Sequence, residues 1–233
     1  VTNTIPAGGL RTSTSSGLRA VLLDMDGTLV DTEGFWWDAE VEVFAELGHE
    51  LRPEYRAEVA GGPMTRVGAF LLRQTGARIT YPELSRLVND RFAELIGRGV
   101  TLMPGAQRLL AELATYDVPI ALVSASHRRI IDVVLQTLGS SRFAFSLAGD
   151  EVENTKPHPE PYLTAARRME APPESCLVVE DTPTGVTSAR SAGCQVLAVP
   201  SVAPIDAAPG CTVVRSLEDV NLTFLRSLVP VAR

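Results

Sequence analysis

Four short polar clusters in the chain have the residue types for phosphate chemistry: Asp24-Met-Asp26, Ser124-Ala-Ser126, Lys156-Pro-His-Pro and Glu180-Asp181. Three of them directly follow apolar runs, Ala20 to Leu23, Ile120 to Val123 and Cys176 to Val179. A short, continuously apolar run bounded by polar residues reads as a strand buried on both faces. Open α/β sheets bind ligands beyond the carboxyl ends of their strands, where these clusters would lie. Four carboxylates in one small pocket repel strongly unless a cation sits among them. An all-oxygen set suits Mg²⁺, which is hard, octahedral and partly hydrated. Lys156 and the Ser124 hydroxyl would then face a phosphate on the far side of the metal. Taken singly, Asp-x-Asp-Gly is often a solvated turn, a Ser after a strand a helix cap, and a Lys-Pro a surface feature. Their conjunction at strand ends and helix starts is what carries weight.

The elements that must position these clusters follow from the spacing. Beyond the first strand, from about Gly34 to Gly99, the pattern is helical: Phe35, Trp36, Ala39, Val43 and Leu47 recur at helical spacing, and Gly48 stops the run. Further helices are expected at roughly 53–60, 64–75 and 82–98, the last opened by the capping-like Thr80-Tyr-Pro-Glu83. From Leu102 strands and helices alternate, with strands at 119–124, weakly at 144–148, and at 176–180, 195–199 and 212–214. Helices between such strands imply a parallel sheet. The expected fold is therefore α/β, a doubly wound parallel-sheet (Rossmann-like) core carrying an inserted all-helical cap subdomain. Residues 18–33 and 102–233 would form the core, 34–101 the cap, and 1–17, rich in Ser, Thr and Gly, a flexible tail.

Bulk composition narrows the classes. The 233 residues are 45% hydrophobic, enough for a substantial core, and carry a formal charge of −7. No Lys/Arg run offers a basic face, so nucleic acid is not an expected partner. Cys176, Cys194 and Cys211 contain no C-x-x-C pair, and His49, His127 and His158 lack metal-ligand spacing. No apolar stretch reaches membrane-span length and no signal pattern opens the chain. A cytoplasmic monomer without membrane contact is expected.

These motifs resemble the haloacid dehalogenase superfamily, in the branch of β-phosphoglucomutase-like and sugar-phosphate phosphatases. Asp24-Met-Asp-Gly-Thr-Leu-Val-Asp-Thr-Glu33 is similar to its first motif, Ser124-Ala-Ser126 to the second, Lys156-Pro-His-Pro-Glu-Pro-Tyr162 to the third, and Val179-Glu-Asp-Thr-Pro-Thr-Gly185 to the fourth. The resemblance implies a Mg²⁺-dependent phosphatase acting on a small phosphorylated metabolite through a phosphoaspartate. It implies that Asp24 is the nucleophile and that Asp26 is the general acid, then the base. Ser124 and Lys156 would hold the phosphoryl oxygens, with Gly27, Thr28 and Ala125 at the phosphate and Thr32 orienting Asp26. Asp24, the backbone carbonyl of Asp26 and Asp181 would ligate the metal, with Glu180 assisting.

Within that resemblance, Asp26 argues against dehalogenation, because halide leaves without a proton. The closest rival is a β-phosphoglucomutase-like mutase, in which a cap His stands twelve residues after the nucleophile. Trp36 stands there instead, and an indole neither titrates nor grips a phosphate. Phe35-Trp36-Trp37 and the following Asp38-Ala-Glu40 resemble instead the hexose- and hexitol-phosphate phosphatases, so phosphatase, on a sugar or polyol phosphate, is the preferred reading. Trp36 or its neighbour Trp37 is expected to line the substrate space, and Met64-Thr-Arg66 to form a specificity loop after Gly61-Gly62. His127 and Arg128 are either substrate contacts or a solvated helix start.

Overall fold

The computed structural model describes residues 17–60, 62, 64–229 and 231. The expected tail lies, save its last residue, outside them. In chain order the elements are β1 (Ala20–Leu23), β2 (Val30–Asp31), α1 (Glu33–Glu46), α2 (Tyr55–Val59), α3 (Met64–Thr75), α4 (Tyr81–Ile96), β3 (Thr101–Leu102), α5 (Ala106–Thr115) and β4 (Ile120–Val123). There follow α6 (Arg128–Leu138), β5 (Phe145–Leu147), α7 (Glu160–Arg168), β6 (Cys176–Glu180), α8 (Pro183–Ser191), β7 (Gln195–Ala198), β8 (Cys211–Val213) and α9 (Leu222–Leu228).

Six strands form one sheet in the order β5-β4-β1-β6-β7-β8, every pairing parallel. β1 is central: Leu22 pairs with Ala121 on one side and Val178 on the other. Alternating side chains divide between two cores. Val21, Leu23, Leu122, Leu177 and Val179 join the core that includes α5, α6 and α9, while Ala20, Leu22, Ala121, Val123 and Val178 join that of α7 and α8. Burial on both faces explains why these strands carry no polar residue until their ends. The chain leaves β1 toward β4 and β5, then returns to β6 on β1's other side and continues outward. Opposite-going connections from a central strand open a crevice at the carboxyl ends, and the Asp24, Ser124 and Glu180 clusters all border it.

Helices α1 to α4 are inserted between β2 and β3, as the helical pattern led us to expect. The sequence reading foresaw no strand here, yet Val30 pairs with Leu102 and Asp31 with Thr101, antiparallel, at the two crossings of the insertion. The insertion shares its apolar core with the sheet: Phe44, Leu71, Leu84, Val88 and Phe92 are fully buried in the cluster that holds Leu23 and Leu122. α4 opens as its motif suggested, the Glu83 carboxylate accepting from the Thr80 N–H at 3.2 Å and its hydroxyl at 2.7 Å. No helix among the described residues is long and apolar enough to cross a membrane.

Candidate active site

At the end of β1 the chain turns through Gly27, whose φ of +73° lies in the left-handed region. A Cβ there would sit 2.1 Å from Asp181 Oδ2, so only glycine admits that approach. The turn presents two acids differently. Asp24 is 6% exposed, and its Oδ1 accepts from Lys156 Nζ at 2.6 Å. Asp26 is held by hydroxyls: Thr32 at 2.7 Å to Oδ1, Ser126 at 2.7 Å and Ser124 at 3.3 Å to Oδ2. Thr32 stands at the N-cap of α1 but makes no side-chain cap bond. Its hydroxyl is committed to Asp26 instead. Burial raises the Asp26 carboxyl above the usual range, and the Thr32, Ser126 and Ser124 hydroxyls pull it partly back.

Lys156 is buried on the far side of Asp24. Its ammonium has three donors, and three acceptors meet them: Asp24, Glu180 Oε1 at 2.7 Å and the Val123 carbonyl at 2.9 Å. Burial opposes the charge on Lys156, but Asp24 and Glu180 outweigh it and hold the amine well above its ordinary value. Glu180 is saturated: Oε1 also accepts from Tyr162 at 2.9 Å, and Oε2 from the N–H groups of Asp181 and Thr182 at 3.1 and 3.2 Å. A Cβ at Gly185 would lie 1.7 Å from Glu180 Oε1, so the glycine opening α8 makes room for that carboxylate. Asp181, fully buried, accepts from Thr28 at 3.2 Å and from Ser201.

Asp24, Glu180 and Asp181 each offer an oxygen within 4.8 Å of the others. With an effective dielectric of about 20, two full charges that close repel by at least ~3 kcal/mol. One ammonium cannot balance three such carboxylates. Burial and then Glu180 push Asp24 up to about 7, and burial followed by Asp24 and Glu180 raises Asp181 well above its ordinary value. The donor set, oxygen only and over-supplied with negative charge, has the chemistry of a hard divalent cation site.

A cavity of about 330 Å³ lies between these strand ends and the inserted helices. Asp24, Asp26, Ser124, Ala125, Lys156 and Asp181 line its floor; Trp36, Trp37, Glu40, Arg56, Tyr81 and Asn89 come from the helices. Trp36 stacks on Phe92 with ring centroids 3.8 Å apart, which fixes its indole against α4.

The model of the family described as Haloacid dehalogenase-like hydrolase matches residues 21–199. The chain belongs to that family. A Drosophila melanogaster protein named "Probable pseudouridine-5'-phosphatase" is 35% identical over 189 residues, spanning 77% of this chain and 80% of its own. CbbY from Rhodobacter sphaeroides, solved in complex with phosphate, shares the fold with a TM-score of 0.79 and 28% identity over 89% of this chain and 99% of that one. A mutant of CbbY in complex with xylulose-(1,5)bisphosphate gives 0.77 and 27% over the same shares. By enzyme class this haloacid dehalogenase-like chain is a phosphoric monoester hydrolase.

Most residues singled out in the sequence converge here. Gly27 and Thr28 stand behind the floor, against Asp181, rather than on its surface. Arg66 does not reach the cavity. It is exposed near the start of α3 and donates to the Glu58 carbonyl at 2.8 Å, its guanidinium against Gly62. Gly61 of the expected specificity loop lies outside the described residues. The arginine that lines the cavity is Arg56. Arg128 pairs with Glu151 at 2.7 Å, while His127 lines the cavity. Sequence reasoning assigned no role to Ser126, Glu40 or Arg56. Ser126 was visible as the second hydroxyl of Ser-Ala-Ser, and Glu40 as the last residue of the Asp38-Ala-Glu40 stretch that follows the two tryptophans.

Proposed function

We propose that the chain hydrolyses the monophosphate of a small sugar or polyol through a phosphoaspartate on Asp24, with Mg²⁺ held by Asp24, the Asp26 carbonyl and Asp181. Residues 34–101 act as the cap over a core of 18–33 and 102–233. The observation that carries this reading is the pairing of two acids two residues apart in unlike surroundings: Asp24 against Lys156 in the acidic cluster, and Asp26 among hydroxyls at the cavity.

In the first step an Asp24 oxygen attacks phosphorus and the phosphorus–ester oxygen bond breaks. Asp26 delivers its proton to the leaving oxygen. In the second step Asp26, now a carboxylate, takes a proton from water whose oxygen attacks the same phosphorus. The bond to Asp24 breaks, the carboxylate is regenerated and phosphate leaves. Lys156 and Ser124 neutralise and orient the phosphoryl oxygens, and Thr32 and Ser126 keep Asp26 aimed. Mg²⁺ in the acidic cluster would supply the charge neutralisation that phosphoryl transfer demands. Glu180 supports the site by fixing Lys156 and the turn into α8. Trp36, stacked on Phe92, offers an aromatic face and no titrating group, which favours hydrolysis over a mutase cycle.

The test is phosphate release from phosphorylated sugars and polyols with Mg²⁺ and with EDTA. Release should require the metal, and Asp24→Asn should lose at least ~10³-fold while keeping the wild-type circular dichroism spectrum. Turnover retained by Asp24→Asn would sink the assignment.

A further inference from the structure

Glu40 has no role in the scheme above. It follows Trp36 by one helical turn in α1, in the stretch that buries Ala39, Val43 and Phe44. It is 4% exposed. Its Oε2 is the one buried side-chain polar atom without a hydrogen-bond partner among the described residues. Leaving such an atom unpaired destabilises the fold, and more so when the group is charged. A leucine in that place would remove the penalty. The carboxyl also lines the cavity whose floor holds Asp24 and Asp26.

Two donor-bearing residues that line the same cavity do not meet it. The Asn89 amide nitrogen bonds to the Ser85 carbonyl at 2.7 Å and its hydroxyl at 3.3 Å, within its own helix. Arg56 lines the same cavity but is itself exposed and makes no ion pair with Glu40 among the described residues. Glu40 therefore lines the cavity with hydrogen-bonding capacity that the protein itself leaves unused. A second phosphate is a poor occupant: that wall offers it one guanidinium, Arg56, with the Glu33 carboxyl beside it. A neutral hydroxyl or ring N–H is a good one.

We propose that Glu40 is the specificity-determining residue of the cap, hydrogen-bonding a donor on an uncharged leaving group, and so selects monophosphates of hydroxyl- or N–H-bearing alcohols over bisphosphates. The proposal rests on the phosphatase reading above. It makes Glu40 the group that distinguishes a polyol from a plain alcohol, at a distance from the bond broken. Binding to a site built for a donor rejects analogues lacking it, because the acceptor is then left unpaired.

The experiment compares wild type, Glu40→Gln and Glu40→Ala on sorbitol 6-phosphate, glucose 6-phosphate, pseudouridine 5'-phosphate, fructose 1,6-bisphosphate and p-nitrophenyl phosphate. The polyol and sugar arms report hydroxyl donors, the pseudouridine arm ring N–H donors, and p-nitrophenyl phosphate carries neither on its leaving group. For the best wild-type monophosphate, Glu40→Ala should lose ~10–100-fold in kcat/KM, Glu40→Gln less, and p-nitrophenyl phosphate should stay within ~3-fold. Glu40→Gln should unfold at or above the wild-type temperature at alkaline pH, because it removes a buried ionisable carboxyl; its unfolding temperature is the stability criterion, since Glu40→Ala also opens a cavity. Equal losses on every substrate, an unchanged preference order, or a marked fall in the unfolding temperature of Glu40→Gln would overturn the proposal. Failure of the wild type to release phosphate from p-nitrophenyl phosphate or any other arm would instead overturn the phosphatase reading beneath it.

Discussion

In the proposed reaction Asp26 gives up a proton to the ester oxygen and takes one back from water, so its side-chain placement matters most. Three hydroxyls hold its two oxygens, and they come from both sides of the turn: Thr32 from the start of α1, Ser124 and Ser126 from the end of β4. A threonine at an N-cap ordinarily closes the helix, and its loss costs about 1 kcal/mol. Thr32 makes no such bond here. Thr32→Val should therefore lower kcat by ~10-fold or more while shifting the unfolding temperature by less than a lost cap would. A large stability loss with little change in kcat would show that the hydroxyl serves the helix after all. Ser126→Ala should act in the same direction, with KM nearly unchanged, because Ser126 touches the acid rather than the phosphate. The sequence made Thr32 and Ser124 visible through their motifs. For Ser126 the motif showed the hydroxyl but not its direction, because no rule of spacing says which of two serines around an alanine turns toward an acid on a neighbouring strand.

The elements that bring these side chains together were largely legible, and the misses have a common cause. Strands β1, β4 and β6 are apolar runs buried on both faces, the strongest pattern a parallel sheet writes into a chain. β2 and β3 are two residues each, too short for any periodicity, and they exist only because Val30 and Leu102 meet at the crossings of the insertion. α9 was missed for a similar reason: seven residues give barely two turns. Contact between α4 and α6 could not be read from sequence at all. There Arg129 pairs with Asp90 and reaches the Arg86 carbonyl at 3.4 Å, joining the inserted helices to the core. Pairs this exposed contribute about 0–1 kcal/mol to stability. Arg129→Ala should thus leave the unfolding temperature within a few degrees of wild type. Hydrogen exchange in α4 should nonetheless increase and KM for the substrate rise several-fold, as the cap spends less time closed. Unchanged exchange in α4 would mean that the shared apolar core alone keeps the two parts together.

Across the whole molecule, the buried acids make stability depend on pH in a direction opposite to that of its exposed capping acids. The Glu83 and Glu151 carboxyls are held below their ordinary values by hydrogen bonds from Thr80 and from Arg128 respectively, so their support is present at neutral pH and fades on acidification. Asp24 and Glu40 run the other way. Burial, reinforced by Glu180 for Asp24 and by Glu33 for Glu40, raises them from 3.8 to about 7 and from 4.5 to about 8. Between the ordinary and the raised values the folded chain binds more protons than the unfolded one, so each step up in pH lowers stability. The contribution of these two groups is complete below about pH 4 and lost as pH rises through 7 to 8. Mg²⁺ held among these acids, as proposed above, would replace the protons as neutralising charge and bind the folded chain alone, so it should restore the part of the loss due to Asp24. It should leave the part due to Glu40, which lies in the cap away from the cluster. Urea unfolding from pH 5 to 8.5, with EDTA or Mg²⁺, on wild type and Glu40→Gln separates the two. The difference between the proteins should widen in favour of Glu40→Gln as pH rises and be the same with or without metal, whereas the effect of Mg²⁺ should grow with pH in both. Parallel curves for the two proteins at every pH would show that Glu40 meets a partner in solution and is not the unpaired acid on which substrate choice turns.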